Sequence, residues 1–142
     1  MIKEFVKNNI VQYGDFLLKS GQKSNIYINL KKMISFPELH GKISDMIASK
    51  ITPGVDLICG TPYGAISFTS YISITQNIPM IFLRKETKDY GTQKLIEGNY
   101  SPGQTVVLIE DVTTTGNSVR DAAKKLEEYE KTQKKDKSLK ES

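Results

Sequence analysis

The chain has 142 residues, of which 38% are hydrophobic and 25% are charged, and its formal net charge is +4. This length accommodates one ordinary domain with a buried core, and the composition is that of a globular protein. No apolar run approaches the roughly 20 residues that cross a bilayer, so we expect no membrane segment. The N-terminal residues include Glu4 and lack an apolar run. We therefore expect no signal peptide and a cytoplasmic protein.

The supply of cysteine and the placement of lysine exclude several kinds of site. Cys59 is the single cysteine, which rules out a disulfide within the chain and a metal site built from cysteines. It ends the apolar run 55–59, so we expect a buried thiol and not a nucleophile. Much of the lysine lies beyond residue 130, without interleaved aromatic residues. Nucleic acid is therefore not an expected partner.

The N-terminal part of the sequence predicts two helices and a hairpin. Apolar residues recur at helical spacing over residues 2–10, which predicts a short amphipathic helix. Two β-like runs flank Ser20-Gly21, which predicts a hairpin. Ser35-Phe36-Pro37-Glu38 is a capping box with a proline in the first turn, and it predicts the start of the next helix.

Beyond residue 54 the sequence alternates between strand and helix patterns. The predicted strands are 55–59, 80–83, 95–96 and 105–109, and the predicted helices are 64–76 and 118–129. Alternation of this kind is typical of βαβ units. We therefore expect an α/β fold with a mostly parallel sheet flanked by helices on both faces.

The final dozen residues have a different character. Residues 131–142 are rich in lysine, and Leu139 is their only strongly apolar residue. Such a segment buries too little surface to offset the entropy that ordering costs. We therefore expect a domain over residues 1–130 and a disordered, lysine-rich tail over residues 131–142.

The stretch 106–118 carries the clearest chemical signal. An apolar strand, Val106–Ile109, ends at Glu110 and Asp111, and a loop of hydroxyl residues and Gly116 then leads into a helix. Ligands of open parallel sheets bind at the carboxyl ends of strands, and the N–H groups of a helix start favour phosphate. Carboxylates repel phosphate, so neutral hydroxyls or a metal must separate the two. A phosphorylated ribose satisfies both conditions, because Glu110 and Asp111 can accept hydrogen bonds from its hydroxyls.

The stretch 106–118 also permits other interpretations. It can also be a Thr/Asn helix cap beside two exposed acids, and that alternative stays open at this point. No Gly-Lys-Ser/Thr stands at P-loop spacing, and no G-x-G-x-x-G follows a strand. A P-loop NTPase and a dinucleotide-dependent dehydrogenase are therefore disfavoured.

Three segments, in this order, resemble the orotate phosphoribosyltransferase family of the type I phosphoribosyltransferases. Residues 16–28 resemble its N-terminal hairpin, residues 84–98 its catalytic loop, and residues 106–118 its loop for phosphoribosyl pyrophosphate. Tyr90 and the Glu110-Asp111 order are similar to the domain that is fused to a decarboxylase in UMP synthases. The resemblance covers the chain up to the tail and implies a Rossmann-like sheet with a small N-terminal hood of hairpin and helix.

The resemblance also implies a reaction and its partners. The 5-phosphoribosyl group of phosphoribosyl pyrophosphate would pass to orotate, giving orotidine 5′-phosphate and pyrophosphate in pyrimidine (UMP) biosynthesis. Mg²⁺ would be carried by the substrate and not bound directly by the protein. The chain would form a homodimer whose catalytic loop reaches into the neighbouring subunit's site.

The family pattern implies a set of site residues. Lys88 is implied as the main catalytic residue, and Asp111 is the second catalytic candidate. Cations after Arg84 make chemical sense by themselves, because they can stabilise the charge on a leaving pyrophosphate. A solvated loop is the alternative there. The resemblance also implies that the turn 60–65 contacts the pyrophosphate, and a plain strand-to-helix connection is the alternative for that turn. The further substrate-binding residues implied are Lys19, Tyr63, Arg84, Lys85, Tyr90, Glu110, Val112, Thr113, Thr114, Thr115, Gly116, Asn117 and Ser118.

The sequence departs from the family pattern at two places. Some members carry lysine where this chain has Gly64. The family also continues past the last helix into a further strand and an arginine that pairs with the carboxylate of orotate, and no residue here replaces it in sequence order. We therefore expect a complete ribose-phosphate site and an unfinished base site. A truncated, non-catalytic module that binds phosphoribosyl pyrophosphate and a phosphoribosyltransferase for another base stay open as alternatives.

Overall fold

A computed structural model of the chain describes residues 1–18, 20–86, 94–113 and 115–141. The chain divides into two compact units, Met1–Lys42 and Ile43–Ser142. Within the described residues, no helix combines the length and the apolar composition that a bilayer crossing requires.

The first unit contains the predicted hairpin. Strand β1 (Val11–Leu17) pairs antiparallel with strand β2 (Lys23–Ile28). Gly21 turns the chain between them with a φ of +83°, a left-handed conformation that glycine adopts without steric cost. Its N–H donates to the carbonyl oxygen of Leu18 at 2.8 Å, which closes the turn.

Two helices begin at or within two residues of the positions that the sequence predicted. Helix α1 spans Ile2–Lys7, and helix α2 spans Pro37–Ala48. Proline suits the first helical position, because the N–H that it lacks would have no partner inside the helix. A 3₁₀ helix over Leu30–Ser35 precedes α2, and the sequence analysis did not predict it. Its Met33 is fully buried.

The second unit is built on a mixed sheet. Its strands are β3 (Leu57–Gly60), β4 (Met80–Leu83), β5 (Ile96–Glu97) and β6 (Val106–Ile109), in the order β5-β4-β3-β6. The pairs β3–β4 and β3–β6 are parallel, and β5 runs antiparallel to β4. The mostly parallel α/β sheet predicted from the sequence is confirmed.

Helices cover both faces of this sheet. Helix α3 (Gly64–Gln76) and the end of α2 pack on the face that contains Ile58, and helix α4 (Asn117–Glu141) packs on the face that contains Cys59. Successive strand residues point to opposite faces, which is why neighbours in β3 enter different clusters. Cys59 is fully buried, and burial raises the pKa of its thiol to about 12. The expectation of a buried core thiol is confirmed.

The last helix is longer than the sequence analysis predicted. We expected a helix that ends at Tyr129 and disorder from residue 131, whereas α4 continues to Glu141. Lysine, glutamate and glutamine are good helix formers, and Glu130 and Lys134 form an ion pair of 2.7 Å one turn apart. Local helix propensity therefore accounts for the helix in a segment that contains few apolar residues. The domain boundary at residue 130 stays a prediction.

Candidate active site

The predicted site residues that the structure describes follow three neighbouring parallel strands. Tyr63 lies after β3, Arg84 and Lys85 lie after β4, and Glu110 and Asp111 lie after β6. Because these strands are parallel, their carboxyl ends lie at the same edge of the sheet, where ligands of such sheets bind. Four predicted residues lie outside the described residues and stay predictions, namely Lys19, Lys88, Tyr90 and Thr114.

Asp111 lies directly against the first turn of α3. Its carboxylate occupies the space that a Cβ at Gly64 would need. The main-chain N–H of Thr61 donates to the carbonyl oxygen of Ile109 at 3.1 Å, which joins the ends of β3 and β6. Only glycine at position 64 leaves room for Asp111 in this orientation. The contact gives a physical reason for the absence of lysine at position 64 in this chain.

Glu110 is half-buried and is contacted by several protein groups. The main-chain N–H of Asp111 donates to Oε1 of Glu110 at 3.2 Å. Burial, followed by the hydrogen bond with Asp111, raises the pKa of Glu110, while hydrogen bonds with Thr61 and Ser118 act against that rise. Protein groups therefore already engage this carboxylate, and its role toward ribose hydroxyls stays a prediction. The sequence analysis did not single out Thr61; its position directly after a buried strand, two residues before Tyr63, was the available signal.

The loop after β6 forms the start of α4. Gly116 has a φ of +77°, and α4 begins at the next residue. The N–H of Asn117 lies 3.5 Å from Oγ1 of Thr115, which is a weak contact. Val112, Thr113, Thr115, Asn117 and Ser118 are exposed. Exposed hydroxyls beside a helix start, whose first N–H groups have no partner inside the helix, suit a phosphate group.

Arg120 adds a positive charge to this loop that the sequence analysis missed. Its guanidinium Nη2 donates to the carbonyl oxygen of Thr115 at 3.3 Å, and its main-chain N–H donates to the carbonyl oxygen of Gly116 at 3.0 Å. The signal in the sequence was its place in the first turn of the predicted helix, where an arginine can fold back on the preceding loop.

Tyr63 and Lys85 come together at the same edge of the sheet. Nζ of Lys85 lies 4.7 Å from the centre of the Tyr63 ring, a cation–π distance. Both side chains are exposed, and the Pro62–Tyr63 peptide bond is cis. The cation of Lys85 and the phenol hydroxyl of Tyr63 are exposed beside the carboxyl ends of the parallel strands, which is a suitable arrangement for an anionic ligand.

Arg84 has a different environment from Lys85, although they are adjacent. Its Nη1 donates to Oε1 of Glu97 at 3.2 Å, and its main-chain N–H donates to the carbonyl oxygen of Leu95 at 2.8 Å. Its Nε is buried and has no hydrogen-bond partner among the described residues. Glu97 was not among the predicted site residues. The sequence places it 13 residues after Arg84, and only the pairing of β4 with β5 brings the two together.

Comparison with known proteins identifies relatives, although no family model matches the chain. The chain is 39% identical over 132 residues to the orotate phosphoribosyltransferase of Pyrococcus abyssi, which covers 91% of this chain and 72% of that protein. It is 41% identical over 119 residues to the uridine 5′-monophosphate synthase of Bos taurus, covering 82% of this chain but only 25% of that protein. The crystal structure of orotate phosphoribosyltransferase from Aeropyrum pernix matches with a TM-score of 0.74 and 25% identity, covering 89% of this chain and 73% of that one.

Proposed function

Because the chain belongs to the orotate phosphoribosyltransferase family, we propose that it transfers the 5-phosphoribosyl group of phosphoribosyl pyrophosphate to orotate. The products are orotidine 5′-phosphate and pyrophosphate, and the step belongs to pyrimidine nucleotide biosynthesis. The observation that carries the proposal is the ribose loop, residues 110–118, in which Glu110 and Asp111 follow the half-buried strand β6 and Gly116 precedes α4. The chain spans a quarter of the bovine relative and 72% of the archaeal one, so the whole reaction is proposed on the part that aligns.

The ribose loop binds and stabilises the sugar. The exposed hydroxyls and the N–H groups at the start of α4 hold the 5-phosphate, with Arg120 beside them. Asp111 accepts hydrogen bonds from the ribose hydroxyls and keeps its orientation through its contact with Gly64. As pyrophosphate leaves C1, the sugar becomes oxocarbenium-like, and the carboxylates of Glu110 and Asp111 place negative charge near the developing positive charge.

Cations stabilise the leaving group. Pyrophosphate gains negative charge as its bond to C1 breaks, and Arg84 and Lys85 lie after β4 where this charge develops. Tyr63 holds Lys85 at this edge through its ring. Lys88, three residues further along the chain, is the proposed main catalytic residue.

Mg²⁺ is the proposed cofactor, and it enters with the substrate. Within the described residues no group of three or more histidine, cysteine or carboxylate side chains is arranged as a metal site. The ribose loop offers the two carboxylates of Glu110 and Asp111. Mg²⁺ is commonly held by one or two carboxylates together with substrate phosphates and water, so this donor set fits the ion. When bound, it neutralises charge on the pyrophosphate group.

A cytoplasmic homodimer with shared active sites is also proposed. Several large apolar side chains of the hairpin are exposed, with Leu17 at 75% and Ile28 at 46%. Exposed apolar surface of this kind favours association with another protein surface. A second copy of this chain is the proposed partner, and the proposal includes neither nucleic acid nor membrane as a partner.

Turnover tests the proposal directly. The purified chain is mixed with phosphoribosyl pyrophosphate, Mg²⁺ and orotate, and pyrophosphate release is measured, with Asp111→Asn as the impaired control. Release that depends on orotate supports the proposed reaction, and release with another base from a panel assigns a different acceptor. Calorimetric binding of phosphoribosyl pyrophosphate without any release identifies a non-catalytic binding module, and no binding at all contradicts the proposal.

A further inference from the structure

We infer that Glu97 is a positioning residue, which holds the guanidinium of Arg84 in the orientation that meets the pyrophosphate group. The inference rests on the proposed function and adds Glu97, which lies in the segment 84–98 but is not among the site residues expected from the sequence. Glu97 itself does not contact substrate in this proposal. It acts through Arg84.

The register of β4 with β5 brings the side chains of Arg84 and Glu97 together. Phe82 lies opposite Glu97 in the antiparallel pair β4–β5. Residues two apart along a strand point to the same face, so Arg84 shares the face of Phe82 and Glu97. A diagonal neighbour across two strands lies within reach of a long side chain. The ion pair of 3.2 Å between Nη1 of Arg84 and Glu97 follows from this register.

The arginine is held at both of its ends. Its main-chain N–H donates to the carbonyl oxygen of Leu95, and its guanidinium donates to Glu97. The two charged side chains are only 35% and 30% exposed, so the pair is partly shielded from water. The guanidinium is planar, and fixing one of its N–H groups fixes the direction of the others. Glu97 therefore selects one orientation for donors that would otherwise sample many.

A simpler electrostatic view predicts the opposite effect. Glu97 is negative and lies close to a site proposed for an anion, so its removal would raise the local positive charge and tighten the binding of pyrophosphate. A positioning role predicts that its removal weakens binding, because the guanidinium loses its orientation. The sign of the change in affinity separates the two roles.

The experiment is a double-mutant cycle on affinity. Calorimetry measures the Kd of phosphoribosyl pyrophosphate and of pyrophosphate with Mg²⁺ for the wild type, Glu97→Ala, Arg84→Ala and the double variant. We expect Glu97→Ala to raise both Kd values about tenfold in the wild-type background and to have less than about twofold effect when Arg84 is already alanine. In turnover, KM for phosphoribosyl pyrophosphate should rise more than kcat falls.

Two further variants keep the test decisive. Glu97→Gln retains the acceptor oxygen without the charge, so it should fold even if Glu97→Ala does not. It should raise Kd about threefold, again only when Arg84 is present. Glu130→Ala, which breaks the ion pair with Lys134 on α4, should leave both Kd values unchanged.

The outcomes separate the inference from the proposed function. Unchanged or tighter binding in folded Glu97→Ala or Glu97→Gln overturns the positioning role, as does an equal loss of affinity with and without Arg84. A wild-type protein that binds neither phosphoribosyl pyrophosphate nor pyrophosphate overturns the proposed function itself.

Discussion

At the end of β6, two adjacent carboxylates have different surroundings. Glu110 is engaged by the main-chain N–H of Asp111 and by Thr61 and Ser118. The carboxylate of Asp111 fills the space beside Gly64 and is also hydrogen-bonded with the side chain of Glu110. The proposed sugar-binding roles of both carboxylates stay predictions.

Replacing Asp111 by asparagine should weaken phosphoribosyl pyrophosphate binding without unfolding the protein. Hydrogen bonds to a charged group contribute about 1.5–3 kcal/mol, which corresponds to roughly ten- to a hundredfold in Kd. Calorimetric titration measures the affinity, and thermal melting confirms the fold. Asp121→Asn, on the exposed surface of α4, is the matched control and should change neither. Unchanged affinity in Asp111→Asn would remove this residue from the site.

The raised pKa of Glu110 predicts a pH-dependent difference in stability. Because its pKa is higher in the folded state than in the unfolded state, the folded state binds more protons between the two values. Wild-type stability should therefore fall as the pH rises from about 4.3, the usual value for an unfolded chain, through the folded pKa. Glu110→Gln lacks this loss, so its Tm should rise relative to wild type as the pH increases from 4 to 7.

Glu130→Gln provides a control of opposite sign. The hydrogen bond and charge of Lys134 lower the pKa of Glu130, so its contribution to stability is present at higher pH and is lost as the pH falls. The Tm of Glu130→Gln should fall slightly relative to wild type as the pH rises. A Tm difference for Glu110→Gln that does not vary between pH 4 and 7 would contradict the raised pKa.

At the residue scale, sequence patterns predicted the candidate residues but not the contacts between them. An apolar run that ends in Glu110-Asp111 and leads to Gly116 is a local pattern, and its local structure is as predicted. The contact of Asp111 with Gly64 and the pair of Arg84 with Glu97 join segments that are far apart in sequence. They depend on how α3 packs beside β6 and on the register of β4 with β5, which no local pattern specifies.

At the scale of elements, apolar periodicity predicted most of the second unit. Helix α3 and strand β4 have the predicted bounds, Gly64–Gln76 and Met80–Leu83. Strand β3 was predicted over 55–59 but spans Leu57–Gly60. Gly60 was predicted to belong to the turn, but it is the last residue of the strand. A side chain at this position would contact Thr69 and the backbone of Ile66, so glycine allows α3 to pack closely on the strand. The 3₁₀ helix was missed because it has too few turns to show a period.

Helix α4 provides a test at this scale. Deleting residues 131–142 should lower the Tm by less than about 2 °C, because the segment contains only one strongly apolar residue and its helix depends on local propensity. Lys131, Thr132, Lys134, Lys135 and Ser138 are all exposed. Differential scanning calorimetry of the full and shortened chains makes the comparison, and helical circular dichroism should fall in proportion to the residues removed. A drop of many degrees would show that the segment is docked.

For the whole molecule, the proposed shared active site can be tested by complementation. Two inactive variants, Lys88→Ala and Asp111→Asn, are unfolded together in equal amounts and refolded. Random pairing of the refolded subunits gives about half heterodimers. If Lys88 acts across the interface, each heterodimer has one site with both defects and one intact site. The mixture should recover about a quarter of wild-type activity.

Native mass spectrometry confirms that heterodimers have formed in this experiment. The matched control mixes Lys88→Ala with the double variant Lys88→Ala/Asp111→Asn, which should recover no activity because no subunit supplies Lys88. Heterodimers without recovered activity in the first mixture would place Lys88 and Asp111 in the same subunit's site.

The contact between Gly64 and Asp111 also constrains how this sequence can change over time. Any side chain at position 64 must first displace the Asp111 carboxylate, so the effect of one substitution depends on whether the other has occurred. Shortening residue 111 first opens the space but removes the proposed sugar ligand, and enlarging residue 64 first turns that ligand away. Both mutational routes therefore pass through an intermediate of low affinity. In the proposed function, such epistasis couples the residues that positions 64 and 111 tolerate, although the two positions are 47 apart in the chain.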